Sequence, residues 1–232
     1  METGSIIADS AAAPQERGGI AAGARAVAPI AIAVFAFGAS FGILARDAGM
    51  GIAAPILMSL TTFAGSAQFA VASVLDSGGA VVAAIAAAVM LNLRYLAVGV
   101  SVAPSLRGSA ARRLAEAQLA VDESWAVAQQ DGRVDRDRLV GAGAVLALCW
   151  CSGTVAGAVG GSALGDPADY GLDAMFPALF LALLAGQLGT RRASAAAAGG
   201  ALIALALTPL LPPGVPIVAA AAGAVIALGV RS

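Results

Sequence analysis

Long uncharged runs dominate the hydrophobic pattern of this chain. They are separated by short turns and one long charged stretch, and they cover residues 26–45, 52–75, 79–103, 139–164, 174–190, 193–211 and 215–230. At 1.5 Å per residue the longer runs cross a hydrocarbon layer of about 30 Å, whereas the last three are short for it. The pattern predicts an all-α fold, a polytopic transmembrane bundle of six to seven helices, in which a short or interrupted helix is broken or re-entrant.

The composition agrees with a helical membrane protein. Hydrophobic residues make up 59% of the 232 residues and charged residues 12%, against roughly a quarter charged in soluble domains. Aliphatic residues and 29 glycines supply the apolar excess, and small residues allow membrane helices to pack closely. The runs are also far longer than the strands of about ten residues in a membrane barrel. A bundle spanning the lipid bilayer is therefore favoured.

Charged residues predict the domain limits and the sidedness. Residues 1–25 lack the apolar core of a signal peptide and are predicted to be a disordered tail, followed by a single transmembrane domain at 26–231. The stretch 104–138 is rich in arginine, which places it in the cytoplasm by the positive-inside rule. Counting forward from it, Arg191, Arg192 and the C-terminus are also cytoplasmic.

Two features of the amino-terminal half are less simple. The side of the N-terminus depends on whether the segment 52–75 spans the membrane or dips in and returns, and the charges allow both. Within the cytoplasmic stretch, Leu114, Val121 and Trp125 recur at helical spacing among charged residues. Residues 109–130 are therefore predicted to form one amphipathic helix at the membrane surface.

Arg94 is the most informative polar residue, because it lies with Asn92 inside an apolar segment. A charge near the middle of a membrane helix costs on the order of 2.5–3.5 kcal/mol, so it requires a role or a partner. Arg94 and Asn92 can line a transport pathway, where the guanidinium binds a carboxylate. Alternatively, Arg94 reaches the cytoplasmic surface or joins two helices.

A second polar group interrupts the run 52–75 at Gly65, Ser66 and Gln68. Glycine and serine permit a break in the helix, which exposes backbone amides to an anion or carbonyls to an ammonium group. The alternative is that the small residues only allow a neighbouring helix to approach. Close packing is the preferred interpretation for a further small-residue face at Gly38, Ser40 and Gly42.

Several functional classes lack the residues that they require. The chain has no histidine and a net charge of −1, so a histidine-based metal site or a nucleic-acid surface is not predicted. Cys149 and Cys151 are interpreted as small buried hydrophobic residues. No catalytic residue, metal or cofactor is predicted, and a membrane enzyme or a scaffold subunit of a larger complex are the less favoured alternatives to a transporter.

Taken together, these motifs resemble the AzlC-type branched-chain amino acid permeases of bacteria. The resemblance rests on the following segments, in this order: FGASFG at 37–42, FAGSAQF at 63–69, LNLRY at 91–95, SVAP at 101–104, VDES at 121–124, FPALF at 176–180 and GQL at 186–188. It covers nearly the whole chain, from about residue 26 to residue 230.

The resemblance implies a permease of the bacterial cytoplasmic membrane that exports branched-chain or similar apolar amino acids. It further implies a small AzlD-type membrane subunit as partner. Asp122 and Glu123 would by spacing alone belong to a solvated helix face, but the family likeness makes them candidates for gating or coupling. Alternating access around Gly65, Ser66, Gln68, Asn92 and Arg94 is the predicted mechanism.

Overall fold

The computed structural model describes residues 19–130, 132–161, 181, 184–185, 188–211 and 215–220. This part of the chain is predominantly helical, which agrees with the predicted all-α class. Its helices are α1 Ile20–Asp47, α2 Ala53–Thr61, α3 Gly65–Asp76, α4 Val81–Asn92, α5 Arg94–Val102, α6 Ala110–Ala117, α7 Asp122–Ala128, α8 Arg136–Gly160, α9 Arg191–Leu207 and α10 Val215–Ala220. A 3-10 turn, Ala103–Ser105, follows α5, and the short strands β1 Gln129–Gln130 and β2 Arg133–Val134 pair antiparallel.

The count of membrane spans is lower than predicted in the described residues. Two helices, α1 and α8, are long and apolar enough to cross a membrane, and α4 with α5 form a third if the bent pair is one span. Most of the predicted segments 174–190 and 215–230 falls outside the described residues. Helix α1 begins at Ile20, earlier than the predicted end of the tail at residue 25, and residues 1–18 lie outside the described part.

Helices α1 and α8 form the centre of the fold and run parallel to each other. Gly23 of α1 lies against the backbone of Arg138 near the start of α8, while Gly42 lies against Thr154 and Ala158 near its end. At Gly38, a Cβ would stand only 2.4 Å from the carbonyl oxygen of Trp150. The glycines therefore bring the two backbones into direct contact, as the small-residue face at Gly38, Ser40 and Gly42 predicted.

Helices α2 and α3 form a hairpin that returns to the end of the bundle where it began. The chain turns at Phe63, whose φ of 40° is the one positive φ of a non-glycine residue in the described part. From there α3 runs alongside the second half of α1, because Phe69 packs against Phe41 with ring centroids 5.8 Å apart and Ala72 joins the same buried cluster as Ala45. Of the two alternatives for residues 52–75, this packing favours re-entry.

The third apolar segment, predicted as continuous from 79 to 103, is broken. Helix α4 ends at Asn92, α5 begins at Arg94, and the two axes differ by 43°. The sequence pattern missed this bend because Leu93 is apolar and no glycine or proline marks the position.

The predicted amphipathic helix over 109–130 is wrong in extent. Residues 118–121 separate α6 from α7, and the β hairpin begins at Gln129. The turn packs directly on α8, since a Cβ on Gly143 would stand 2.3 Å from the carbonyl oxygen of Leu119. Val121 and Ser124 are buried, so this segment is part of the bundle. It enters the bundle from the end where α8 begins.

Candidate functional site

Three interruptions of helical structure meet at one place in the bundle. They are the turn between α2 and α3, the bend between α4 and α5, and the turn between α6 and α7. The side-chain amide of Gln118, in the turn between α6 and α7, donates a hydrogen bond of 2.8 Å to the carbonyl oxygen of Thr61 at the end of α2. The α2–α3 turn and the α6–α7 turn, which enter the bundle from opposite ends, are therefore in contact. Helix ends are where backbone and polar side chains become available to a ligand inside a membrane protein.

Arg94 connects all three interruptions. Its Nη2 donates a hydrogen bond of 2.8 Å to the Ser66 hydroxyl on α3 and forms an ion pair of 3.0 Å with Asp122 on α7. The guanidinium also lies over the Tyr95 ring, 5.0 Å from its centroid. The side chains of Arg94 and Asp122 are 37% and 40% exposed, so both remain open to a ligand.

The position of Asp122 is set by the start of α7. The Ser124 hydroxyl accepts a hydrogen bond of 2.9 Å from the Val121 amide and donates one of 2.7 Å to the Leu119 carbonyl. These bonds close the turn and orient the first residues of the helix, as a capping side chain does. This role of Ser124 was not predicted, because the capping signal known from sequences has serine or threonine at the N-cap and glutamate or glutamine three residues later, whereas here Val121 is the N-cap and Ser124 takes the third position.

Arg94 and Asp122 open onto a cavity of about 320 Å³. This volume falls in the range of small-molecule pockets, roughly 300–1,000 Å³. One part of its lining is polar and formed by Ser66, Arg94, Tyr95, Asp122 and Glu123. The rest is mostly apolar and formed by Ile30, Ala33, Val34, Phe37, Phe63, Gly65, Val121, Leu146 and Trp150.

Of the predicted site residues, Gly65, Ser66, Arg94, Asp122 and Glu123 line this cavity. Gly65 has no side chain, which leaves room for the Trp150 ring, since a Cβ at position 65 would stand 3.0 Å from the indole Cη2. In the acidic pair it is Asp122 that binds Arg94. Asp122 is thus partly exposed and ion-paired at the same time.

Gln68 does not line the cavity. It is fully buried, accepts a hydrogen bond from the Ala64 amide at 3.2 Å and donates one of 2.8 Å to the Ser59 hydroxyl. The same hydroxyl contacts Thr154 Oγ1 at 2.9 Å and accepts a hydrogen bond from Trp150 Nε1 at 3.1 Å. Gln68 thus holds the α2–α3 turn against α8, a structural role in place of the predicted contact with a substrate.

Asn92 lies beside the candidate cavity. It lines a smaller neighbouring pocket of about 210 Å³ together with Phe63, Ala64 and Gln118. Its Oδ1 atom is buried and has no hydrogen-bond partner in the described part of the chain. A buried hydrogen-bond acceptor without a donor destabilises the folded state by an amount on the order of 1–3 kcal/mol. The Asn92 side chain is therefore a buried polar group whose oxygen receives no hydrogen bond from the described residues.

Comparisons with known proteins agree on one family. The chain matches the family described as AzlC protein over residues 29–164. It is 33% identical to an uncharacterized membrane protein of Archaeoglobus fulgidus over 195 residues, which cover 83% of this chain and 86% of that protein. It is 29% identical to the branched-chain amino acid transport protein AzlC of Bacillus subtilis, covering 74% and 70% of the two chains, and 29% identical to the inner membrane protein YgaZ of Escherichia coli, covering 67% and 68%. No solved structure matches the chain.

Proposed function

Because this chain belongs to the AzlC family, we propose that it is a permease that moves branched-chain or similar apolar amino acids across the bacterial cytoplasmic membrane. The family match confirms the resemblance found in the sequence motifs. A relative from Bacillus subtilis carries the name of a branched-chain amino acid transport protein, which supports the substrate class. Outward transport and a small AzlD-type partner subunit are further parts of the proposal.

The observation that carries the proposal is the pairing of opposite charges beside an apolar wall. An apolar amino acid presents a carboxylate, an ammonium group and a hydrocarbon side chain. In the cavity, Arg94 offers a donor for the carboxylate and Asp122 an acceptor for the ammonium group. Ile30, Val34 and Phe37 offer a surface for the side chain.

A zwitterion can insert between Arg94 and Asp122 and replace their ion pair. The planar guanidinium suits a carboxylate because it donates two parallel hydrogen bonds. When Arg94 turns to the substrate, its bonds to Ser66 on α3 and Asp122 on α7 are exchanged for bonds to the substrate. Binding therefore loosens the connection between the two turns that enter from opposite ends.

Alternating access follows from this connection. The α2–α3 turn closes the cavity toward one end of the bundle, and the α6–α7 turn closes it toward the other. Movement of either turn away from Arg94 opens one route, while the other turn stays in place. Glu123 lines the same cavity and is the candidate for coupling such a movement to an ion.

The test is leucine efflux from cells without other leucine exporters, loaded with leucine-containing dipeptides. The chain is expressed alone and with its small partner, and Arg94→Ala is compared with Arg191→Ala, an exposed arginine at the start of α9. A charge-assisted hydrogen bond contributes about 1.5–3 kcal/mol, so we expect Arg94→Ala to raise the half-saturating leucine concentration roughly 10- to 100-fold.

The control Arg191→Ala is expected to keep normal efflux at an equal amount of inserted protein. Normal efflux by Arg94→Ala would remove the proposed role of the guanidinium. No efflux by the unchanged protein, alone or with its partner, would instead contradict the permease and favour a scaffold subunit.

A further inference from the structure

A second and larger cavity, of about 810 Å³, lies at the end of the bundle where α5 ends and α8 begins. Its lining includes four arginines from four different places in the chain: the loop after α5, helix α6, strand β2 and the first residue of α8. These are Arg107, Arg112, Arg133 and Arg136. Ser101 and Ser105 add hydroxyl groups to the same wall.

The four arginines are not equally neutralised. Glu116 binds Arg112 at 2.8 Å and also binds Arg136, which in addition pairs with Asp137 at 2.7 Å. In the described residues, Arg107 and Arg133 are exposed and form no ion pair. The carboxylates Asp135 and Asp137 line the same cavity, so together with Glu116 three carboxylates oppose the four arginines. One positive charge in excess is left for an anion.

An apolar groove of about 510 Å³ lies along the same segment, between α5 and α6. Its apolar lining includes Val98, Leu106 and Leu114, and Arg113 also lines it. The junction of α5 and α6 thus presents a basic cavity and an apolar groove close together. This combination suits an amphiphile with an anionic head better than a small soluble anion.

We propose that this junction binds an anionic phospholipid, whose phosphate group contacts Arg107 and Arg133. Residues 104–138 belong at the cytoplasmic surface of the membrane, where anionic headgroups are concentrated and attract arginine. A phosphate oxygen takes charge-assisted hydrogen bonds from guanidinium groups. The lipid connects the end of α5 to the β hairpin, and so stabilises the segment that carries α7 into the transport cavity.

The experiment measures lipid binding by the purified full chain in detergent, by native mass spectrometry during titration with phosphatidylglycerol or phosphatidylcholine. The variant is Arg107→Gln with Arg133→Gln. The matched control is Arg191→Gln with Arg192→Gln, two exposed arginines at the start of α9. With about 1 kcal/mol for each arginine near a membrane surface, phosphatidylglycerol binding by the variant is expected to weaken roughly 10- to 30-fold.

The control pair is expected to change that affinity by about twofold or less, and phosphatidylcholine is expected to bind more weakly than phosphatidylglycerol. An equal loss in both double variants, or equal binding of the two lipids, would overturn the proposal. Inorganic phosphate that raises the unfolding temperature when phosphatidylglycerol does not would assign the cavity to a soluble phosphate and also overturn it. Unfolding temperatures without lipid check that both variants fold, and leucine efflux is measured separately, because this inference does not depend on the transported substrate.

Discussion

Phe63 shows how one residue shapes the candidate site. Its φ of 40° lies in the left-handed region, which bulky residues rarely adopt and which costs on the order of 1–3 kcal/mol. The surrounding contacts hold it there: the Ala64 amide is bound by Gln68, and the Phe63 ring belongs to the central buried cluster. The turn that borders the cavity is therefore a strained backbone held in place by its neighbours.

Replacement of Gln68 by methionine tests this support. The variant leaves the Ala64 amide without its partner and removes one of the three hydrogen bonds of the Ser59 hydroxyl, so we expect a loss of about 1–3 kcal/mol in the free energy of unfolding. Leucine affinity of the folded fraction stays close to normal, because Gln68 does not line the cavity. The measurements are denaturant unfolding and transport, with Gln130→Met as the exposed control. Unchanged stability with lost leucine affinity would return Gln68 to the binding site.

Glu116 gives a prediction about pH. Hydrogen bonds from Arg136 and then Arg112 lower the pKa of Glu116 to about 2, although its burial acts in the opposite direction. An unfolded glutamate has a pKa of about 4.3, so the stabilisation is complete above about pH 4.5 and is lost as the pH falls toward about 2. We expect Glu116→Gln to unfold at a lower temperature than the unchanged protein near pH 7, and this difference to shrink near pH 3. A difference independent of pH would contradict the ion pairs.

The site was only partly predictable from single residues. Arg94 could be found because a charge inside an apolar segment requires a partner, and Ser66 because it interrupts another segment. The pairing of Arg94 with Asp122 depends on a turn that enters the bundle, and no local pattern reports such a fold. Gln68 was misplaced for the same reason, since its partners Ser59 and Trp150 come from other helices.

At the scale of elements, the contact between α1 and α8 leaves no room for additional side-chain atoms at its glycines. A Cβ on Gly157 would stand 1.9 Å from the Ala39 carbonyl oxygen, whereas Gly160, one turn further along α8, has no atom within 4 Å of such a Cβ. We expect Gly157→Ala to force the helices apart and to reduce folded protein severely. Gly160→Ala is expected to be neutral or stabilising by up to about 1 kcal/mol, because alanine favours helix. Fluorescence-detected size-exclusion chromatography of both variants is the measurement, and equal yields would contradict the close contact.

The helices were predictable where the length of an uncharged apolar run alone determines them. The predicted runs 26–45 and 139–164 correspond to α1 and α8, with ends that differ by two to six residues. The bend at Leu93 and the turn at 118–121 were missed, because tertiary packing breaks these helices without a local glycine or proline. The interruption near Gly65 was visible because the residues there are small and polar.

For the whole molecule, the parallel direction of α1 and α8 limits the topology. If both helices span the membrane, an odd number of crossings lies between them, because they begin at the same face. The bent pair α4 and α5 is the candidate for that return, since α5 ends near the start of α8, where Val102 packs with Leu139. We therefore expect the α2–α3 hairpin to add no crossing, and the start of α1 to lie on the same side as the arginine-rich stretch.

Cysteine labelling tests this topology. With Cys149 and Cys151 replaced by alanine, single cysteines are placed at Ala21, Ser77 and Ala110, which are exposed positions. An impermeant maleimide added to intact cells is expected to label only the cysteine at 77, and to label the other two after permeabilisation. Labelling of 21 and 110 from opposite sides would show that residues 53–76 cross the membrane.

The ion pair between Arg94 and Asp122 also has an electrical consequence. The pair is neutral as a whole, and so is an amino acid zwitterion that inserts between its two members. A cycle in which only the zwitterion crosses moves no net charge through the membrane field, where each elementary charge would gain or lose about 2.3 kcal/mol per 100 mV. The membrane voltage by itself then performs no work on the substrate, and uphill export requires a cation or proton that moves inward, in the direction opposite to the substrate.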